Sequence, residues 1–162
     1  MTQSATTVLG LITARGGSRR SPRKNVLPLA GRPMIAWTVA AAIESKVIDR
    51  IVVSTDDPAI AESAAAAGAE VPFMRPDALA TDDASLVDVA LHAIEACGGA
   101  DYLVLLQPTS PLRLPEDVVA CLDQVRSGAA IAAVTVRRIT KPWQVSRLMA
   151  SDGRLAECPT PT

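Results

Sequence analysis

Residues 13–25 hold the densest set of groups in this chain that could do chemistry, reading TARGGSRRSPRKN. Gly16 and Gly17 let a backbone approach a ligand with no Cβ in the way. Successive N–H groups in such a turn can form an anion nest. Ser18 adds a hydroxyl donor, and Arg15, Arg19 and Lys24 can neutralise several phosphate charges, Arg through forked donors and Lys as a point charge. The spacing fits neither the dinucleotide fingerprint G-x-G-x-x-G nor the Walker loop, because no Gly-Lys-Ser/Thr follows. It is a glycine-plus-basic loop suited to a polyphosphate.

Two further segments carry candidate groups. Arg75 and Ala84-Ser85 bracket a loop rich in Asp and Pro, where Arg75 either organises the loop or contacts a ligand. Gln107-Pro-Thr-Ser-Pro-Leu-Arg113 is held rigid by its prolines, and Gln107 both donates and accepts. It is either a structural turn or a contact to a polar small molecule. Arg113 could face a carboxylate ligand, but a salt bridge with Glu116 or Asp117 is the preferred reading. Asp56 and Asp57 could bind a metal, although Asp57 ahead of Pro58 reads better as a helix cap. Arg20 and Arg23 read as solvated charges. His92, the single histidine, reads as a helix packing or surface residue, and a lone His with no nucleophile motif argues against triad chemistry.

The elements that position these segments follow from apolar periodicity. Strands are predicted at 8–12, 50–54, 70–73, 101–106 and 130–136. Helices are predicted at 34–45, 57–67, 85–97 and 115–127, with Thr81, Asp82 and Asp83 as possible caps of the third. Alternating strand and helix at this spacing implies βαβ crossovers and a mostly parallel sheet. Ligands of such sheets bind beyond the carboxyl ends of the strands, where all three segments lie. After Thr140 the pattern changes. A strand around 143–149, a turn at 151–154 and Leu155 read as a hairpin. This divides the chain into an α/β domain at 1–140 and the start of a hairpin at 141–162, which reads as cut short.

Composition narrows the classes. A length of 162 residues suits one domain with a sizeable core, and a net charge of −1 offers no general attraction to polyanions. The positive charge is local instead. Arg15, Arg19, Arg20, Arg23, Lys24 and Arg32 all precede the first acidic residue, Glu44, which favours a small anionic ligand over nucleic acid. Aromatics at 2% are too few for stacking on single strands. Cys97, Cys121 and Cys158 lack metal or redox spacing and fit a reducing cytoplasm. No apolar run is long enough to span a membrane.

The 13–25 segment resembles the signature I-P-A-R-G-G-S-K-x-x-P-x-K-N of the CMP-sialic acid synthetases (acylneuraminate cytidylyltransferases). The segments 28–37 (PLAGRPMIAW), 49–56 (DRIVVSTD), 75–85 (RPDALATDDAS) and 105–113 (LLQPTSPLR) resemble the family's next motifs in the same order. Thr13 replaces its usual Pro, Arg19 its usual Lys, and Ser21 an often apolar residue. The resemblance implies a three-layer, Rossmann-like α/β fold of the nucleotide-diphospho-sugar transferase type. It implies transfer of CMP from CTP to the anomeric hydroxyl of a sialic-acid-like nonulosonic acid, with pyrophosphate released, in lipopolysaccharide or capsule biosynthesis. It places Ala14, Arg15, Gly16, Gly17, Ser18, Lys24 and Asn25 on the nucleotide, Arg75, Ala84 and Ser85 at the cytosine, and Gln107, Thr109 and Ser110 at the sugar. Arg15, Arg19 and Lys24 would stabilise charge at the reacting phosphates. Mg²⁺ is expected with CTP, and full-length members are homodimers. The family's C-terminal Asp-x-Asp metal motif has no counterpart after Thr140, so a non-catalytic nucleotide-binding form is the alternative expectation.

Overall fold

Strand β1 (Val8–Thr13) is where both faces of the protein meet, and the computed structural model buries Val8, Leu9, Gly10, Leu11 and Ile12 almost completely. The structure describes residues 6–17, 23–136, 147–149 and 155–157. A strand apolar at every position suits the centre of a sheet covered on both faces. On one side β1 pairs in parallel with β4 (Arg50–Ser54), with Leu11 opposite Val52. On the other it pairs in parallel with β5 (Tyr102–Leu106), with Leu11 opposite Leu105. The order β4-β1-β5 means that the chain leaves β1 toward one edge and later returns to the other. A topological switch point therefore lies between the carboxyl ends of β1 and β5.

Between β1 and β4 run the short antiparallel pair β2 (Pro28–Leu29) and β3 (Arg32–Pro33) and the helix α1 (Met34–Ser45). Helix α2 (Pro58–Ala66) follows β4; α3 (Leu86–Ala96) precedes β5, and α4 (Pro115–Arg126) follows it. One face of the sheet carries α1, α2 and α4, through Ile12, Ile35, Val39, Val53, Ile60, Leu106 and Val118. The opposite face carries α3, where Ala93 meets Leu9, Leu11 and Val52. This is the three-layer, mostly parallel α/β architecture that the sequence implies. Asp57 caps α2 as expected: Oδ1 accepts from Ala59 N at 2.8 Å and Ile60 N at 3.4 Å.

Three expectations are corrected. The strand foreseen at 70–73 is a single parallel bridge between Glu70 and Val52, because Pro72 has no N–H to extend the ladder. The strand foreseen at 130–136 is absent: Ile131, Val134 and Val136 are 102%, 80% and 88% exposed. Its β-branched residues suit a strand, but no strand among the described residues pairs with it, and Ala130 N donates instead to Gln124 O at 3.2 Å. The cap of α3 is Ser85 rather than Thr81, Asp82 or Asp83, its Oγ accepting from Val87 N at 3.2 Å. Farther on, β6 (Arg147–Met149) and β7 (Leu155–Glu157) form the anticipated antiparallel hairpin, and its turn lies outside the described residues. Among the described residues, no helix is long and apolar enough to cross a membrane.

Candidate functional site

The crevice at the switch point is a cavity of about 320 Å³, at the small end of the range for small-molecule sites. Thr13, Arg15, Lys24 and Asn25 line it from the β1 side; Gln107, Pro108 and Thr109 line it from the β5 side. Leu79, Thr81, Asp82, Ala84, Leu86 and Val89 close the third wall. Segments far apart in sequence are thus brought to one place by the β4-β1-β5 order.

The first wall is built by backbone bonding. Ala14 N donates to Ser54 O at 3.0 Å, which carries the β1–β4 ladder past the strand end. Asn25 is 3% exposed; its Nδ2 donates to Arg15 O at 3.1 Å, and its own carbonyl accepts from Ile35 N at 2.9 Å. Asn25 therefore clasps the loop to the start of α1. Arg15 reaches across the cavity. Nη1 donates to Thr81 O at 2.8 Å and Nη2 forms an ion pair with Asp82, both side chains being about one-third exposed. The two glycines differ. Gly16 N donates to Asp56 Oδ1 at 2.9 Å, and a Cβ there would sit 2.7 Å from Asp57 Oδ2. A Cβ at Gly17 would meet nothing within 4 Å, so Gly17 faces open space. Ser18, Arg19 and Arg20 lie outside the described residues.

Arg75 is not among the lining residues. It is 7% exposed, with Nε donating to Ser54 Oγ at 3.0 Å and Nη2 donating to Ser54 O. Burial pushes its guanidinium below the usual value, Asp56 opposes that shift, and Arg15 adds to it. Ala84 lines the cavity, while Ser85 is spent on capping α3. Gln107 stands on the wall of this cavity and of a neighbouring one of about 750 Å³, which Ser110 and Arg113 line between β5 and α4.

The preferred salt bridge of Arg113 is not formed. Nη2 donates weakly to Gln107 O at 3.4 Å, Nη1 is buried without a partner, and Asp117 acts only through its field. The turn that carries Arg113 directs the side chain back over the strand end instead of along α4. Arg23 is exposed as anticipated, and Arg32 is stacked on Trp37, 3.5 Å from the ring centroid, so it takes no part in the lining. His92 packs edge-on against Phe73 at 4.9 Å, as its place on a helix suggested. Sequence reasoning missed Asp56 and Asp82 as partners of the loop; both stood as candidates for other jobs, a metal ligand and a helix cap.

A family model for cytidylyltransferases matches residues 9–151. The chain belongs to the cytidylyltransferase family. Among its cytidylyltransferase relatives, the CMP-N,N'-diacetyllegionaminic acid synthase of Legionella pneumophila is 36% identical over 155 residues, covering 93% of this chain and 66% of that protein. The N-acylneuraminate cytidylyltransferase of Escherichia coli is 33% identical over 143 residues, covering 88% of this chain and 34% of that protein. A solved structure of a CMP:2-keto-3-deoxy-manno-octonic acid synthetase complexed with CTP superposes with a TM-score of 0.67 at 29% identity, covering 77% of this chain and 49% of that one. The chain thus spans between about a third and two-thirds of the length of these relatives. As for the metal that such a cytidylyltransferase would use with its nucleotide, no cluster of three or more His, Cys, Asp or Glu fit to hold an ion occurs among the described residues.

Proposed function

We propose that the crevice binds the triphosphate of CTP and that the chain serves the transfer of CMP to the anomeric hydroxyl of a sialic-acid-like nonulosonic acid. The observation that carries this reading is the convergence of Arg15 and Lys24 with Gln107 and Thr109 on one cavity at the sheet's switch point. In the reaction, the anomeric oxygen attacks the α-phosphorus, the bond between that phosphorus and the α–β bridging oxygen breaks, and pyrophosphate leaves with the developing charge. The hydroxyl proton is lost as the new bond forms. Fixed cations beside the departing oxygens stabilise that charge where it builds. Arg15 and Lys24 take this role, joined by Arg19 at the pyrophosphate, with Ser18, Gly16 and Gly17 completing the loop around the nucleotide.

The apolar wall of Leu79, Leu86 and Val89 suits the flat face of a base, with Ala84 offering backbone groups to its edge. Arg75 and Ser85 support this end from behind the lining, Arg75 bonded to Ser54 and Ser85 capping α3. Gln107, Thr109 and Ser110 meet the sugar, and the shared position of Gln107 between two cavities supports an acceptor arriving from the β5 side. Mg²⁺ is expected to accompany CTP through phosphate oxygens. The relatives' names are those of transferases, which favours an enzyme over a non-catalytic nucleotide binder.

The test is CTP-dependent pyrophosphate release with Mg²⁺ and a panel of sialic, legionaminic, pseudaminic and 3-deoxy-octulosonic acids, beside calorimetric binding of CTP, UTP and ATP. Release with one acid and a preference for CTP are expected. CTP binding with no release from any acid would leave the non-catalytic reading. No CTP binding to a folded chain would refute the site.

A further inference from the structure

We propose that Asp56 is a positioning residue: its carboxylate fixes the Gly16 amide and so sets the loop that aims Arg15 into the crevice. The inference rests on the proposed CTP site, and it concerns what holds that site ready.

The strand ladder supplies the first argument. Ala14 N donates to the backbone carbonyl of Ser54 at 3.0 Å. Two residues on, the ladder's next donor is Gly16 N, and the position of its next acceptor is Asp56. The acceptor used is the side-chain Oδ1 of Asp56, at 2.9 Å, in place of its main-chain carbonyl. A side chain is longer than a carbonyl bond, so the two chains can diverge here while the amide stays satisfied. That divergence opens the crevice at the end of β1.

Packing supplies the second. The space where a Gly16 side chain would stand is occupied by Asp57, whose Oδ2 and Cβ would lie 2.7 and 2.9 Å from it. Asp57 cannot yield easily, because its Oδ1 caps α2. Behind both aspartates, buried Arg75 ties the end of β4 together: its amide donates to Thr55 O at 2.7 Å, its Nε to Ser54 Oγ, and its charge attracts Asp56. Every residue from Ser54 to Asp57 is thus engaged in holding the loop or the helix start, and none of them lines the cavity. Gly16 N–H is bound to a protein carboxylate and is withheld from a phosphate. The phosphate contacts fall to the Arg15 side chain and to Gly17 with its open surroundings.

Holding a loop in its binding conformation lowers the ordering cost of association. Asn in place of Asp keeps an oxygen acceptor for Gly16; Ala removes it. The experiment measures CTP affinity by calorimetry and Gly16 amide hydrogen exchange by NMR in the native chain, Asp56→Asn, Asp56→Ala and Arg15→Ala. A protected Gly16 amide is expected in the native chain and in Asp56→Asn. Asp56→Ala should lose that protection and weaken CTP about tenfold, the worth of one charge-assisted hydrogen bond, while Asp56→Asn stays within about threefold of native. Native affinity in a folded Asp56→Ala overturns the inference, and so does a freely exchanging Gly16 amide in the native chain. Should Asp56→Ala not fold, the native amide and Asp56→Asn decide, since a folded Asp56→Asn as weak as tenfold below native refutes the hydrogen-bond role. The Arg15→Ala control separates the two readings. If it too binds CTP normally, the site itself is wrong; if it alone loses CTP, only the positioning role fails.

Discussion

Replacing Arg15 with Ala should weaken CTP by roughly 5- to 30-fold, a range that follows from what Arg15 does before a nucleotide arrives. A hydrogen bond from a guanidinium to a phosphate contributes about 1.5–3 kcal/mol. In the free site, however, Nη2 is paired with Asp82 and Nη1 donates to Thr81 O. The pair is partly solvated, at 33% exposure on each side chain, which limits its worth to about 0.2–1 kcal/mol. A triphosphate must displace Asp82, so the net contribution is about 1–2 kcal/mol. The same reasoning gives the opposite sign for Asp82→Asn, which should tighten CTP by roughly 1.5- to 5-fold. In the double variant that gain should shrink, because the part that comes from releasing Arg15 is lost. Titration calorimetry at fixed ionic strength measures all four affinities, and the Asp82 effect should shrink with added salt. An Arg15→Ala chain within twofold of native, or an Asp82→Asn chain that binds more weakly, would refute the reasoning.

Three further outcomes are expected. Asp57→Ala removes the α2 cap and should cost about 1 kcal/mol, lowering the melting temperature by roughly 2–4 °C in a chain of this size; an unchanged melting curve would contradict the cap. Leu11→Ala, fully buried at the centre of β1, should cost about 2–5 kcal/mol in a denaturant titration, and a loss of less than about 1 kcal/mol would mean that the site refills by collapse. Hydrogen bonding and charge from Arg50 hold the Glu70 carboxyl below its usual value. Its stabilisation is therefore fully present above the unfolded carboxyl value and is lost as pH falls through the lower folded value. Acid unfolding followed by circular dichroism should be shallower in Glu70→Gln, and an identical acid profile would show that the pair is neutral to stability.

Much of the scaffold could be read because its local signals agree with one another. Pro33 ahead of α1, Asp57-Pro58 ahead of α2 and Pro115 at the start of α4 each mark a helix by backbone chemistry that tertiary contacts do not alter. The misreadings occur where a local signal needs a partner. Residues 130–136 have strand composition, yet a strand exists only when a neighbour accepts its backbone bonds, and that neighbour cannot be inferred from the segment itself. Ahead of α3 the difficulty is different. Thr81, Asp82, Asp83 and Ser85 are all capable caps, and spacing alone does not choose among them.

The site divides along the same line. Residue type and position after a strand pointed to Arg15, Lys24 and Gln107, and the family resemblance added Asn25, Ala84 and Thr109; the sheet order brings all six onto one cavity. Residue type could not say how the donors and acceptors are shared. Gly16 and Gly17 look equivalent as a nest for phosphate, but Gly16 has already given its amide to Asp56 while Gly17 stands open. The run of basic residues likewise looks like one patch, yet Arg32 is stacked on Trp37 and Arg15 is balanced by Asp82. Sharing of this kind is fixed by contacts between residues 40 to 67 positions apart, Gly16 with Asp56 and Arg15 with Asp82. A loop that binds an anion must keep its donors apart from the protein's own carboxylates or release them on demand. Here Asp56 engages the Gly16 amide, and Asp82 holds Arg15 in a partly exposed pair.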